Sequence, residues 1–334
     1  VLEEMTKKID KANAEYIEKT RKEAPFFPSV EASLDKITLV IDLSLAENNE
    51  FVKAMEKLDA LEGDFTFRYL HRSSISVKTY EHMWDINSID CKLNIQYVTL
   101  GNDGKRKNRL RVEFNPNKLK YESNAVFRYI LKFLKPYKVK YKVFDVCKDY
   151  VGTDTRFCFL QDTHKKAITR EFTCEKTRGK TLYFGDMNKK GVRLYNKRAE
   201  MISQDKKDIG YECSRYEYRE KLNKYEFLHN CNKYTLSTVL PVVGVVNFGF
   251  MEALNNTKLQ ASDKVILKAL LNREISIGDF DEVTATKYKK MLEDLSVATM
   301  TITELDIQVA LMKFWIKFKD MYEDMKIDEL AEIF

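Results

Sequence analysis

In Arg215-Tyr216-Glu217-Tyr218-Arg219-Glu220, charge alternates with ring as far as Arg219. A period of two belongs to a β-strand, so the segment predicts a strand over 215–221 with Arg215, Glu217 and Arg219 on one face. A shorter echo stands earlier, at Arg111-Val112-Glu113-Phe114. Each closes a run of strand-like segments. The first run holds 34–45, with the β-branched Ile37-Thr38-Leu39-Val40-Ile41, then 65–70, 74–80, 92–100 and 109–115. An amphipathic helix over 49–61 interrupts it, with Phe51, Val52, Met55 and Leu58 at helical spacing. Gly101-Asn102-Asp103-Gly104 turns a hairpin whose tip is basic, at Lys105, Arg106 and Lys107. A helix over 124–134 ends near Pro136. The second run holds 138–150, 156–159, 168–174, 181–185, a turn at Lys189-Lys190-Gly191, then 192–197 and 215–221.

This order predicts an α+β fold: antiparallel sheets with packed helices and two similar β-rich halves, internally duplicated near residue 137. Beyond residue 250 the pattern turns helical, over 264–271, 284–295 and 303–325. Ser262-Asp263 is placed to cap the first of these, and Glu304 and Asp306 favour the N-terminal dipole of the last. A charged helix over 1–24 is stopped by Ala24-Pro25. The expected organisation is an N-terminal helical segment (1–33), a catalytic α+β domain (34–250) and a helical C-terminal region (251–334).

The chain has 334 residues, 44% of them hydrophobic, which suffices for a real core and excludes a wholly disordered chain. With 11 Gly and 5 Pro, collagen-like and linker architectures are excluded too. The most apolar stretch, 236–250, is too short to span a bilayer and contains Ser237, Thr238 and Asn247. The charged stretch 1–22 does not read as a secretory signal. The formal charge of +6 hides an uneven distribution: residues 101–200 alone hold 26 basic and 11 acidic side chains. So basic a block points to a polyanion, most commonly nucleic acid.

Cys91, Cys147, Cys158, Cys174, Cys213 and Cys231 include no C-x-x-C pair, which argues against structural zinc. A core-rich chain of this length needs no disulfide staples, so reduced thiols and a cytoplasmic location are expected. His71, His82, His164 and His229 are dispersed along the chain.

Three segments carry chemistry. In Lys142-Val143-Phe144-Asp145-Val146-Cys147-Lys148-Asp149-Tyr150, strand alternation sets Asp145, Cys147 and Asp149 on one face. Two such acids either hold a divalent cation or balance the surrounding lysines. In Val192-Arg193-Leu194-Tyr195-Asn196-Lys197-Arg198-Ala199-Glu200, the same alternation groups Arg193, Tyr195 and Lys197. Flanking cations favour a phenolate and bind the phosphate it would attack, although most of the 18 tyrosines must be structural. In the opening segment, Glu217 is positioned either to complete a metal site or to join a salt-bridged strand with Arg215 and Arg219.

Taken in order over roughly 34–222, these segments resemble the replication initiation factor family, which includes the initiators of rolling-circle plasmids of Gram-positive bacteria. The matching pieces are the strand Leu34 to Val40, the strand Leu110-Arg111-Val112-Glu113-Phe114-Asn115-Pro116-Asn117 and the acidic strand Lys142 to Tyr150. The Tyr183-Phe184-Gly185 turn, the Arg193-x-Tyr195-x-Lys197-x-x-Glu200 strand and the Arg215-x-Glu217 strand follow. The chain departs from the pattern at Lys142, where an arginine is usual nearby, at Cys147, where a small alanine is usual, and at Asp186-Met187-Asn188 after the turn.

The resemblance implies a metal-dependent enzyme that nicks and rejoins DNA at a replication origin, on single-stranded or hairpin DNA. Tyr195, or failing it Tyr183, would be the nucleophile that forms a 5′-phosphotyrosyl link. Arg193 and Lys197 would assist it, and Asp145, Asp149 and Glu217 would hold Mg2+ or Mn2+. Arg215, Arg219 and the tip Lys105, Arg106 and Lys107 would bind DNA. Origin recognition would fall to Lys264, Lys268, Asn272 and Arg273, on a helix whose Val265, Ile266, Leu267 and Leu270 otherwise suit a core. A host helicase and a homodimer are expected partners. A relaxase of a mobilisable element and a non-catalytic DNA-binding protein of the same fold are the alternatives.

Overall fold

The computed structural model describes residues 31–59, 66–71, 82–88, 91–100, 107–118, 125–155, 158–160, 169–174, 179–204, 208–246, 258–272, 275 and 277–324. The expected helix over 1–24, the expected strand over 74–80, the tip residues Lys105 and Arg106, and Arg273 lie outside the described residues. In chain order the elements are β1 (Ser33–Leu43), α1 (Leu45–Asp59), β2 (Thr66–His71), β3 (His82–Ser88), β4 (Cys91–Leu100), β5 (Lys107–Phe114), α2 (Ala125–Leu131), β6 (Lys140–Val151), β7 (Cys158–Leu160), β8 (Thr169–Cys174), β9 (Gly179–Asp186), β10 (Lys190–Asn196), α3 (Lys197–Gln204), β11 (Cys213–Phe227), β12 (Val243–Val246), α4 (Ala261–Asn272), α5 (Glu282–Leu295), β13 (Ser296–Met300) and α6 (Glu304–Glu323). The fold is α+β. Among the described residues no helix is long and apolar enough to cross a membrane.

Two compact units are distinguished. The first comprises Ala32–Val146, Arg219–Leu236 and the chain from Glu304; the second comprises Glu31, Cys147–Tyr218 and Ser237–Thr303. The hydrogen-bonded order includes two runs, β2-β3-β4-β5-β1 and β8-β9-β10-β11-β6; β6 and β11 each contribute residues to both units. Each run has four neighbouring strands whose last member pairs with the strand that began the series. The burial sequence along Ser33–Val40 of β1 also recurs along Lys140–Cys147 of β6. The halves are similar in this sense.

In the first unit, alternation sorts the sheet into an apolar and a polar face. Ile37, Leu39 and Ile41 of β1, Leu110, Val112 and Phe114 of β5, and Leu93, Ile95 and Tyr97 of β4 are all buried. Aromatic contacts join this face to the helices. Phe51 of α1 meets Trp84 and Phe133 edge-on at 5.8 and 5.2 Å, and Phe114 meets Phe127 of α2 and Phe314 of α6 at 4.9 and 5.9 Å. The opposite face is a hydrogen-bonded polar network. There, Thr38 and Arg111 donate to Glu113 at 3.0 and 2.8 Å, and Arg111 also donates to Gln96 at 3.0 Å. A capping box starts α1: Glu47 N–H donates to Ser44 Oγ at 3.3 Å, and Ser44 N–H donates to Glu47 Oε2 at 2.8 Å.

In the second unit, β7, β12 and β13 form a separate three-stranded antiparallel sheet. The sequence predicts only helices beyond residue 250, where β13 is an addition, and it assigns no strand at 243–246, where β12 forms. These short apolar runs become strands only through partners distant in the chain, a long-range effect that periodicity does not register. Leu267 and Leu270 of α4 pack with Tyr288 and Leu292 of α5. Asp263 is not the cap of α4. It lies inside the helix and accepts hydrogen bonds from Lys287 and Tyr288 of α5 at 2.7 and 2.9 Å. Val265, one of the expected core positions, is exposed, whereas Leu267 and Leu270 are buried.

Candidate active site

The Tyr195 region is shaped by the end of a strand. Asn196 Oδ1 accepts from Ala199 N–H at 2.9 Å, which caps α3 and stops β10. Lys197 is therefore the first residue of α3 rather than a member of the strand face expected for Arg193, Tyr195 and Lys197. Its Nζ lies 2.5 Å from Glu200 Oε2 and 6.0 Å from the centre of the Tyr195 ring. Arg198, which had no assigned role, ties α3 down with two bonds to Asp208, at 2.8 and 2.9 Å, and one to Glu212 at 2.9 Å.

The other end of the hairpin is set by glycine. Gly185 has φ +78°, and a Cβ there would meet the Lys190 carbonyl oxygen at 2.8 Å. The turn occupies Met187 to Lys189, and the expected turn residues Lys190 and Gly191 already belong to β10. Within the hairpin, Arg193 stands opposite Tyr183 and Tyr195 opposite Thr181.

Tyr195 is 6% exposed. Burial pushes its phenol well above the ordinary range, Glu217 adds to the rise, and Arg215 and Arg193 only partly oppose it. The expected cationic stabilisation of a phenolate thus loses to desolvation in this arrangement. The Arg193 guanidinium lies 4.7 Å from the centre of the Tyr195 ring and donates to Glu217 Oε2 at 2.6 Å. The Glu217 side chain is 1% exposed. Arg193 Nε is buried without a hydrogen-bond partner among the described residues.

The remaining candidates form arginine–carboxylate forks. Arg215 grips Asp149 through Nε and Nη2 at 2.6 and 2.7 Å in the second unit. Arg219 grips Asp145 at 2.8 and 2.5 Å in the first. The structure thus groups Tyr195, Arg193, Glu217, Arg215 and Asp149 on β10, β11 and β6 of the second unit, and places the Asp145–Arg219 pair in the first. Lys264 and Lys268 are half-buried on α4, Asn272 is its last residue, and Lys107 is the first residue of β5.

The expected metal ligands have the hard oxygens that Mg2+ or Mn2+ prefer. In this arrangement they do not fit such an ion. Asp145, Asp149 and Glu217 are each engaged by a guanidinium, and among the described residues no three His, Cys, Asp or Glu side chains gather closely enough to hold one. A cation would first have to displace arginine.

No protein-family model matches the chain. Over 246 residues it is 25% identical to a replication initiation protein of Staphylococcus aureus, covering 68% of this chain and 70% of that protein. Two further replication initiation proteins of Staphylococcus aureus are each 24% identical, over 247 and 245 residues, at the same coverage. Among solved structures, a rolling circle replication initiator protein from Geobacillus stearothermophilus is similar at 12% identity and a TM-score of 0.33, covering 82% of this chain and 100% of that one.

Proposed function

This chain belongs with the replication initiation proteins, and we propose that it starts rolling-circle replication by cutting one strand at an origin with Tyr195. One observation carries this reading: Arg193 lies over the Tyr195 ring while its guanidinium holds the buried Glu217. A phosphodiester entering here competes with Glu217 for Arg193, because guanidinium binds phosphate and carboxylate by the same fork. As Arg193 turns to the phosphate, Glu217 loses a counter-charge in a buried site and its affinity for a proton rises. It then accepts the phenol proton. Tyr195 Oη forms a bond to phosphorus, the bond from phosphorus to the 3′-oxygen breaks, and that oxygen takes up a proton from solvent.

The products are a 5′-phosphotyrosyl link and a free 3′-hydroxyl able to prime synthesis. Because the phosphoester bond is conserved, rejoining needs no nucleotide hydrolysis. Arg215 and Lys197 add positive charge near the reacting phosphate, where charge develops in the transition state. The expected divalent cation has no step in this scheme. Assays with Mg2+, with Mn2+ and with chelator test for it directly. The substrate is an origin strand exposed in a hairpin, and strand separation beyond the nick falls to a host helicase.

The test is nicking of supercoiled origin plasmid, with mass-spectrometric mapping of the DNA-linked residue. Tyr195→Phe should lose both the nick and the adduct while retaining origin binding. An adduct mapped to Tyr183 would overturn the nucleophile assignment. A wild-type protein that binds the origin but neither nicks nor links would leave a DNA-binding role alone. Nicking of a transfer origin in preference to a replication origin would make it a relaxase.

A further inference from the structure

The first unit carries an aromatic and cationic surface that the nicking chemistry does not use. Tyr137 is 59% exposed and Phe227, the last residue of β11, is 40% exposed. Exposed rings standing singly are unremarkable, but these are connected. The Phe227 ring lies 5.3 Å from His229 at an interplanar angle of 32°. His229 lies 6.1 Å from Tyr137 and 6.2 Å from Trp315, and Tyr137 meets Trp315 edge-on at 5.6 Å.

Cations edge this group along the strands. Lys140 Nζ sits 5.0 Å over the Phe227 ring. Lys142 Nζ and the Arg109 guanidinium sit 4.5 and 4.7 Å from the centre of the neighbouring Tyr225 ring. Asp42 is shared by two of them, at 2.8 Å from Arg109 and 3.5 Å from Lys140. The Lys142 ammonium donates to the neutral Asn223 carbonyl at 3.5 Å. One carboxylate shared by two of the three cations leaves positive charge beside the connected rings.

We infer that Tyr137, Phe227, His229 and Trp315, with Lys140 and Lys142, form a second platform for single-stranded DNA, on the first unit. Rings that offer faces to bases, with ammonium groups at their edge for phosphates, are what sequence-tolerant single-strand binding requires. An acidic protein partner would be drawn by the same charge but has no need of ring faces. The platform makes no use of Tyr195 and holds whether or not that residue cuts DNA.

The experiment uses the full chain with Tyr195→Phe, so that nothing is cleaved, and fluorescence anisotropy of a labelled oligothymidylate. Phe227→Ala and Tyr137→Ala should each weaken binding roughly tenfold, the scale of one lost base–ring stack. Phe227→Trp should restore it. Lys140→Gln with Lys142→Gln should reduce the salt slope by about 1.4, the value for two phosphate contacts on a single strand. An abasic strand of equal length should bind parent and Phe227→Ala alike. Both truncated side chains are exposed, and matching thermal melts establish that folding is intact. Unchanged oligothymidylate affinity in both alanine variants would overturn the inference and turn this face over to a protein partner. Tighter binding of oligouridylate, with the same variant losses, would assign the platform to RNA instead.

Discussion

Arg193→Ala tests the exchange at the centre of the proposed site. The substitution removes the guanidinium that holds Glu217 at 2.6 Å, and Glu217 is 1% exposed. Stripping one partner from a buried ion pair costs about 3–5 kcal/mol. Arg193 is itself 33% exposed, so solvent already screens part of the pair, and the lower end, about 3 kcal/mol, is expected. That is roughly a hundredfold in the folding equilibrium. The loss should depend on pH in one direction. Without Arg193, burial raises the folded-state pKa of Glu217 above its unfolded value. A carboxyl raised in this way destabilises only where it is ionised. The penalty is therefore absent below the unfolded pKa, grows as pH rises through the raised folded value, and is complete above it. Urea denaturation followed by far-UV circular dichroism should show a larger loss at pH 8 than at pH 5. Adding Glu217→Gln should recover most of the loss at pH 8. An equal deficit at both pH values, or no recovery in the double variant, would refute the claim that Arg193 serves as counter-charge to Glu217.

Arg215→Lys replaces a two-point hold on Asp149, at 2.6 and 2.7 Å, by a single point charge, and should lower stability by about 1.5 kcal/mol. An unchanged urea midpoint would show that the fork does not matter. Gly185→Ala should cost at least about 1 kcal/mol, because φ of +78° and a 2.8 Å approach to the Lys190 carbonyl both oppose a Cβ; a thermal melt at or above that of the parent would contradict this. Lys135 and the Ser44 backbone and hydroxyl hold the Glu47 carboxyl down at about 2. The stability it contributes is present above the unfolded pKa of 4.5 and is lost as pH falls towards 2, so Glu47→Gln should differ from the parent at pH 6 and converge with it in acid. Ser44→Ala should cost about 1 kcal/mol at neutral pH, measured by urea denaturation, through loss of the capping box.

Much of the secondary structure around the candidate site was legible in the sequence. Alternation around Tyr195 and Glu217 placed both on strands, and the Arg–Glu strand at 215–221 proved to be the start of β11. The apolar run at Ile37 to Ile41 lies within β1, and the helix expected over 49–61 is present as α1, starting earlier at its Ser44 cap. What was missed has a common cause. Lys197 continues the alternation of β10, yet Asn196 caps a helix there, and its side-chain bond outweighs the strand pattern. Asp145 and Asp149 look like free ligands in a linear reading because Arg219 and Arg215 stand 74 and 66 residues away. Both aspartates balance arginines of β11 rather than the neighbouring lysines.

The sequence alone determined the α+β class, the two similar runs of strands and the basic middle of the chain. These are local properties, since a two-residue period follows from backbone geometry and charge can be counted. Only the tertiary structure decided which carboxylate meets which arginine, and that Tyr195 is buried rather than eased towards phenolate. It also decided that rings from positions 137, 227, 229 and 315 meet on one surface. Those outcomes depend on strand register and on packing between segments far apart in the chain, and register is set by the whole sheet rather than by any one strand.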